Sequence, residues 1–416
     1  MPLEKPVLPV PGVRRLLSDL GGVYALSALI AFLFAASGPV AIILSVGRMG
    51  GLSESDVASW MFGSFFLNGL ITIAMCLLYR QPLVLLWTIP GAVLVGPALT
   101  HLSFAEVIGA YHATGLLLLV LGVSGWIRRA SEAVPLAIVM AMVAGVFLRF
   151  GVDLVLALRD DFWIAAPMVA TFFALGVSRA WARRLPPLLG ALAAGALAVA
   201  LTDTFAPPAG ALFQLARPEL YVPVFSWRAI IELVLPLAIT VLAAQNAQGF
   251  AVLAAAGHRP PISAVTTACG IGSIVVALVG AVSTCLTGPV NAIITGAGER
   301  ARQYTAGVLM GVLVLGFGLA APFFTRLLLA TPAAFIATLA GLAMLRVLER
   351  AFVAGFGGRF TLGALVSFVV TVADVPIAGI GAPFWALVFG FAASWLLERD
   401  DFRQRAADSV AGGGAR

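Results

Sequence analysis

Two apolar stretches in this chain are too short to cross a bilayer as one helix, and both are interrupted in the same way. One reads Leu85-Leu86-Trp87-Thr88-Ile89-Pro90-Gly91, the other Thr284-Cys285-Leu286-Thr287-Gly288-Pro289-Val290-Asn291. Each sets a Thr-x-Pro and an adjoining glycine inside apolar surroundings. Matched interruptions at corresponding places in two halves of a membrane chain are the best sequence pointer to a binding site.

That the chain is a membrane protein follows from its apolar runs, which recur at spanning length throughout. Charged residues make up 11% of it, where a soluble domain carries roughly 25%. The opening segment, Met1 to Leu20, holds Pro2, Pro6, Pro9 and Pro11 with Arg14 and Arg15 before the first apolar run, and does not read as a cleaved signal. Cys76, Cys269 and Cys285 all lie in apolar segments, so neither a disulfide framework nor a metal spacing is expected from them. The sequence has no H-E-x-x-H and no Walker loop, and no cofactor or metal is expected.

Window hydropathy and breaker residues divide the chain into fourteen apolar segments: 20–46, 55–79, 83–98, 104–126, 133–156, 162–179, 186–203, 229–255, 262–282, 286–297, 303–325, 331–349, 360–376 and 381–397. With both termini cytoplasmic, the inner connections hold Lys5, Arg14, Arg15, Arg80, Arg128, Arg129, Arg179, Arg183, Arg184, Arg259, Arg300, Arg302, Arg346, Arg350, Arg359, Arg399, Arg403, Arg405 and Arg416. The outer ones hold only Arg48, Arg149, Arg159, Arg217, Arg228 and Arg326. This asymmetry is the positive-inside pattern, and it explains the +6 net charge without invoking nucleic acid. The outer connection 204–228 separates seven segments, in 1–203, from seven in 229–416. An odd number per half makes the second half enter in the opposite orientation, as an inverted repeat. Both ends are short, and no attached soluble domain is expected.

The two breaks have a physical reading. A residue before proline is pushed away from helical backbone, so Ile89 and Gly288 favour extended or turn conformations. Proline suits the first helical position, so half-helices are expected to start at Pro90 and Pro289, with Gly288 an acceptable N-cap. The third and tenth segments run in opposite directions, so their half-helix N-termini should meet near the membrane midplane. Each presents about half an elementary positive charge and unpaired N–H groups, together an anion site that needs no lysine or arginine. The plainer alternative is a pair of proline kinks.

The eighth segment carries Gln245, Asn246 and Gln248 in an otherwise apolar run. Gln245 and Gln248 share a helix face and Asn246 points elsewhere. They read either as interhelical hydrogen-bonding glue or as a polar wall for a substrate. Ser37-Gly38-Pro39 in the first segment is the corresponding break of the other half, and Asn291 lies in the first turn after Pro289. Trp87 adjoins the Thr88 break and is the better candidate to stack on a ring; Phe32 and Phe34 read as core. Ionisable groups at membrane depth are functional suspects, which singles out His112, Glu232 and Asp374 as carriers of a coupling proton, although Glu232 is about 20 Å along the helix from Gln245. Gly122-Val123-Ser124-Gly125 resembles the serine motif of intramembrane proteases, but small residues for helix packing is the better reading.

The run Ala244-Gln245-Asn246-Ala247-Gln248-Gly249-Phe250-Ala251-Val252-Leu253, then Ala256-Gly257-His258-Arg259-Pro260-Pro261, resembles the benzoate/proton symporter (BenE-type) family, as does Thr287-Gly288-Pro289-Val290-Asn291-Ala292. The layout is similar over essentially the whole chain. The resemblance implies an all-α polytopic fold of fourteen segments in two inverted seven-span repeats, shared with uracil permease-like transporters, with short strands in the third and tenth. It implies a core domain, 20–126 and 229–325, and a gate domain, 133–203 and 331–397, with substrate between them. It also implies proton-coupled benzoate uptake by movement of core against gate, often in a homodimer. Nucleobase carriers of this fold are similar in having glutamates where this chain offers Gln245, Asn246 and Asn291, and amides fit an anionic substrate better. Sulfate-type relatives usually add a C-terminal soluble domain, whereas here about twenty residues follow the last segment.

The expectation is therefore an inner-membrane secondary transporter for a small aromatic carboxylate. Ser37, Gly38, Trp87, Thr88, Gln245, Asn246, Thr287, Gly288 and Asn291 are the expected substrate contacts. The alternatives are a nucleobase or other heterocycle carrier, a passive anion channel and, more remotely, an intramembrane enzyme using Ser124.

Overall fold

The computed structural model describes residues 3–126, 135–178, 185–206, 213–296 and 298–404. Arg128, Arg129, Arg179, Arg183, Arg184, Arg405 and Arg416 of the charge count lie outside them. Helices follow the apolar segments in order. A short α1 (Val13–Asp19) precedes α2 (Gly22–Ala36) and α3 (Gly38–Met49), which break at Ser37. Then come α4 (Glu54–Tyr79), β1 (Leu85–Trp87), α5 (Ile89–Ala98), α6 (Phe104–Ser124), α7 (Leu136–Asp160), α8 (Phe162–Val177) and α9 (Pro187–Leu201). The second half holds α10 (Trp227–Ala255), α11 (Ile262–Ala277), β2 (Thr284–Leu286), α12 (Gly288–Thr295), α13 (Tyr304–Leu319), α14 (Ala321–Leu329), α15 (Ala333–Phe356), α16 (Thr361–Ala373) and α17 (Ala382–Leu397).

Among the described residues, six helices are long and apolar enough to cross a membrane singly, counting α2 with α3 as one. The chain is a mostly helical, multi-pass membrane protein, as its composition requires. The eleventh expected segment is cut short: α13 ends at Leu319, and the separate α14 meets α15 at 113°.

The helices pack in two sets. In one, α6 lies along α11, α4 along α13, α2 against α13 and α12, and α3 against α5. Close approach is made possible by glycine: a Cβ on Gly122 would stand 2.6 Å from the Thr267 backbone N on α11, and one on Gly270 2.4 Å from that of Leu119 on α6. Gly122 of the protease-like motif is thus a packing residue, and Ser124 is exposed at the helix end. In the other set α7 runs along α15 and α16, α16 along α17, and α8 along α9. Contact between the sets is made chiefly by α3 against α15.

The two broken segments cross at the centre. β1 and β2 pair antiparallel, Leu85 with Leu286, Leu86 with Cys285 and Trp87 with Thr284. Thr88 N donates to Ser283 O at 3.0 Å and Thr287 N to Val84 O at 3.1 Å. Superposing Thr88 on Thr287 carries Val84 onto Ser283 and Leu86 onto Cys285, so these bonds map onto themselves. A local two-fold axis passes through the crossing, which is what an inverted repeat demands of its two breaks.

Candidate functional site

A two-stranded ladder has two open edges, and at membrane depth every edge group needs a protein partner. Thr72 supplies one: its hydroxyl accepts Leu85 N–H at 2.9 Å and donates to Leu85 O at 2.6 Å. Ser273 accepts Thr284 N–H at 3.0 Å, and Asn68 Oδ1 accepts the Thr284 hydroxyl at 2.7 Å. Asn246 Oδ1 accepts Leu286 N–H at 2.7 Å. Asn291 Oδ1 accepts Val84 N–H at 3.1 Å, while its Nδ2 donates to Thr287 O at 2.6 Å and Val84 O at 3.2 Å. Asn246 and Asn291 are both fully buried. Expected to face a substrate, they instead hold the strands in place.

The half-helices begin one residue earlier than the prolines suggest. Thr88 and Thr287 are the N-caps, both with extended backbone, and each proline sits at the second helical position. Threonine wins the cap because its hydroxyl can reach the first-turn N–H groups, and Thr88 Oγ1 does accept Gly91 N–H at 3.2 Å. Thr287 does not follow: its hydroxyl donates to Val84 O at 3.2 Å and leaves its own helix uncapped. Among the described residues the N–H groups of Gly288 and Val290 therefore have no hydrogen-bond partner at the positive end of α12. The half-helices are alike in backbone and unlike in what they leave free.

A cavity of about 330 Å³ lies between the two helix sets, in front of these turns. Pro90, Pro289, Gln245 and Gln248 form one wall; Met140, Val143 and Phe147 of α7, with Met344, Val347 and Arg350 of α15, form the other. Its size is at the low end of the roughly 300–1,000 Å³ found for small-molecule sites. A recess of about 30 Å³ reaches inward between Leu86, Trp87, Thr287 and Val290, and Gln245 borders both spaces. Among the described residues no carboxylate lines either one.

The amide of Gln245 has no hydrogen-bond partner among the described residues, and the side chain is 9% exposed. It sits in a π-helical turn, Thr240–Asn246. The wider winding there turns Gln245 toward the cavity and its neighbour Asn246 toward β2, a local irregularity typical of functional helices. Gln248 lies across the start of α12, where a Cβ on Gly288 would come 2.5 Å from Gln248 Cγ. A larger residue there would force the Gln248 side chain aside. Trp87 is 3% exposed and lines the recess.

Other expected residues fall elsewhere. Thr88 is fully buried, capping α5 and donating to Thr240 Oγ1 at 3.4 Å. Ser37 bonds back to Phe34 O at 3.1 Å and borders a different cavity of about 650 Å³. Its lining is apolar apart from Ser37 and Thr331, so it lacks the converging polar groups that orient a ligand. Gly38 abuts α15, where a Cβ would stand 2.3 Å from Ala343 Cβ. Ser37 and Gly38 thus form the partition between the two cavities, because the break turns them onto α15 and α9.

His112 donates through Nδ1 to Ile108 O at 2.9 Å. Glu232, 3% exposed, pairs with His101 at 3.0 Å. Asp374 is an exposed helix C-cap beside a further cavity that Arg149 and Asp153 also line. None of the three borders the site. Arg350 does, and sequence reading missed it. The signal was present in the spacing Ala343, Val347, Arg350, Ala354, one face of a helix, but charge counting had already assigned Arg350 to an inner connection.

Crossed half-helices, set between two packed helix sets and bordering a cavity between them, define a multi-pass membrane transporter of the broken-helix, inverted-repeat kind. The chain belongs to the benzoate membrane transport protein (BenE) family, whose profile matches residues 21–396. It is 28% identical over 369 residues to the inner membrane protein YdcO of Escherichia coli K12, covering 88% of this chain and 93% of that one. It is 26% identical over 393 residues to the benzoate membrane transport protein of Acinetobacter baylyi, covering 92% and 98%. Among solved structures, it is similar to the transmembrane domain of the cyanobacterial bicarbonate transporter BicA (TM-score 0.59, 15% identity, 89% of this chain and 98% of that one). SLC26A9 is similar also, with a TM-score of 0.61 and 14% identity over 92% of this chain and 67% of that one. These likenesses bear out the family resemblance and the transporter fold, and place the chain among transporters rather than enzymes.

Proposed function

We propose that this chain imports benzoate or a related aromatic carboxylate with a proton across a bacterial inner membrane. The observation that carries the reading is the juxtaposition of the uncapped start of α12 at Pro289 and Val290, the unpartnered Gln245 amide and Trp87 around an apolar cavity and its recess, with no carboxylate among the described residues lining either. A carboxylate head suits the positive helix end, and a ring suits Trp87 and the methionine-lined wall. The name of the Acinetobacter relative supports the same substrate.

The packing of the helices in two sets supports alternating access. We assign 20–126 and 229–325 to a moving core that carries the site and 133–203 with 331–397 to a gate, with elevator-type sliding of one along the other. The fourteen segments then cross with both termini cytoplasmic, and a homodimer would form through the gate. The cavity mouth at Arg350 and Ala354 lies on the side that charge counting makes cytoplasmic, so this conformation faces inward. Glu232 with His101, at the outer end of α10, is the best-placed carrier of the coupling proton. Symport with H⁺ offsets the cost of moving one anion against the membrane potential, about 2.3 kcal/mol per 100 mV.

The test is uptake of labelled benzoate into proteoliposomes under an imposed inward proton gradient. Accumulation above equilibrium, competed by aromatic acids and not by uracil, is the expected result. Competition by uracil alone would make the chain a nucleobase carrier, and flux that never exceeds equilibrium would make it a channel.

A further inference from the structure

The floor of the cavity is neutral, yet its mouth carries a cation that no part of this mechanism uses. Arg350 is exposed and lines the cavity shared by Gln245 and Gln248. Its neighbour on α15, Arg346, is spoken for by Glu349 at 2.8 Å. Arg350 has no ion-pair partner among the described residues, and none of the residues lining the cavity with it is acidic.

We propose that Arg350 is a second binding station for an organic carboxylate, at the cytoplasmic mouth and distinct from the recess under Gln245. The proposal rests on the reading that this cavity is the substrate path. From Ala343, which abuts Gly38 at the partition, Arg350 is seven residues toward the mouth, about 10 Å at 1.5 Å per residue. The wall between is Met140, Val143, Met344 and Val347, apolar surface against which an aromatic ring can lie while its carboxylate meets the guanidinium fork in a bidentate pair. A free guanidinium beside low-dielectric walls also raises the local anion concentration, an effect that salt screens.

The two stations sit on opposite walls. Gln245 and the α12 N-terminus belong to one helix set and Arg350 to the other. If the sets slide past each other, the anion must leave Arg350 to travel with the core. Arg350 therefore acts on loading and unloading at the cytoplasmic face and does not accompany the substrate.

A reporter cysteine one turn further out tests this without assuming the substrate. Ala354 is exposed on the same wall, and the native Cys76, Cys269 and Cys285 are all buried. In A354C, the anionic reagent methanethiosulfonate ethylsulfonate should react faster, relative to its trimethylammonium counterpart, than in R350Q/A354C. The anionic-to-cationic rate ratio should fall several-fold in R350Q, invert in R350E, and converge between backgrounds in high salt. Benzoate should slow modification of A354C and not of R350Q/A354C, while benzamide should protect neither. An unchanged ratio in both R350Q and R350E overturns the station. A ratio that falls while benzoate protects in neither background keeps the anion station and removes benzoate as its ligand, so the two claims fail separately.

Discussion

The side-chain Oδ1 of Asn246 accepts the backbone N–H of Leu286 at 2.7 Å, so an amide on α10 closes the open edge of β2. Its neighbour Gln245 makes no such bond and faces the cavity. The two adjacent amides should therefore separate stability from binding. Asn246→Ala orphans a buried N–H and should cost about 1–3 kcal/mol, read as a lower thermal midpoint in detergent. Gln245→Ala should leave the midpoint within a degree or two and weaken benzoate binding at least fivefold. Equal destabilisation by both changes, or intact binding in Gln245→Ala, would contradict this division.

Gly38 and Ala343 meet where the two helix sets touch. A methyl at position 38 would lie 2.3 Å from Ala343 Cβ and 2.7 Å from Leu188 Cδ2. Interiors are close-packed and do not absorb such overlap. Gly38→Ala should reduce transport more than tenfold while benzoate still binds, because the overlap falls where the two helix sets meet and Gly38 itself does not line the cavity. Ala343→Gly in the same protein removes the worse overlap and should restore part of the flux. No recovery in the double variant would argue that Gly38 is needed for the Ser37 break itself.

Glu232 is buried against both helix sets. It pairs with His101 at 3.0 Å, and its Oε1 lies where a Cβ on Gly381, the N-cap of α17, would stand only 2.4 Å away. The pair sits where the two helix sets meet, so the coupling step we propose would act on both. Glu232→Gln should retain exchange of labelled for unlabelled benzoate but lose accumulation driven by a proton gradient. A variant that still accumulates substrate would move the coupling proton elsewhere.

Much of the fold was legible because lipid restricts the choices: apolar runs and breakers place α2 to α17 in order. The crossing at Thr88 and Thr287 was legible too, since proline and glycine act locally. The duties of the amides were not. Whether Asn246 meets a substrate or Leu286 N–H depends on a π-turn set by packing, and whether Asn291 is free depends on an open edge at Val84, 207 residues away. Arg350 was hidden for a different reason. A helix longer than its expected 331–349 segment carries the cavity-facing stripe past the point where hydropathy ends it.

The connection after α10 gives a prediction in pH. His258, 8% exposed and outside the helices, donates Nε2–H to Gln303 Oε1 at 2.7 Å, and Gln303 Nε2 donates to Thr295 O at 2.9 Å. This chain of bonds ties the end of α10 to the end of α12. Burial holds the imidazole below its ordinary 6.5; the Gln303 contact opposes that shift and Arg300 adds to it. The neutral ring is thus favoured in the folded protein, while the unfolded chain takes up a proton below about 6.5. The stabilisation is complete above that pH and declines as pH falls toward the depressed folded value. Thermal midpoints of wild type should drop between pH 7.5 and 5, and those of His258→Asn should drop less. Because carboxylates elsewhere add their own slope, the difference between the two proteins is the readout. Parallel slopes would show that the imidazole is as easily protonated in the folded protein as in the unfolded chain.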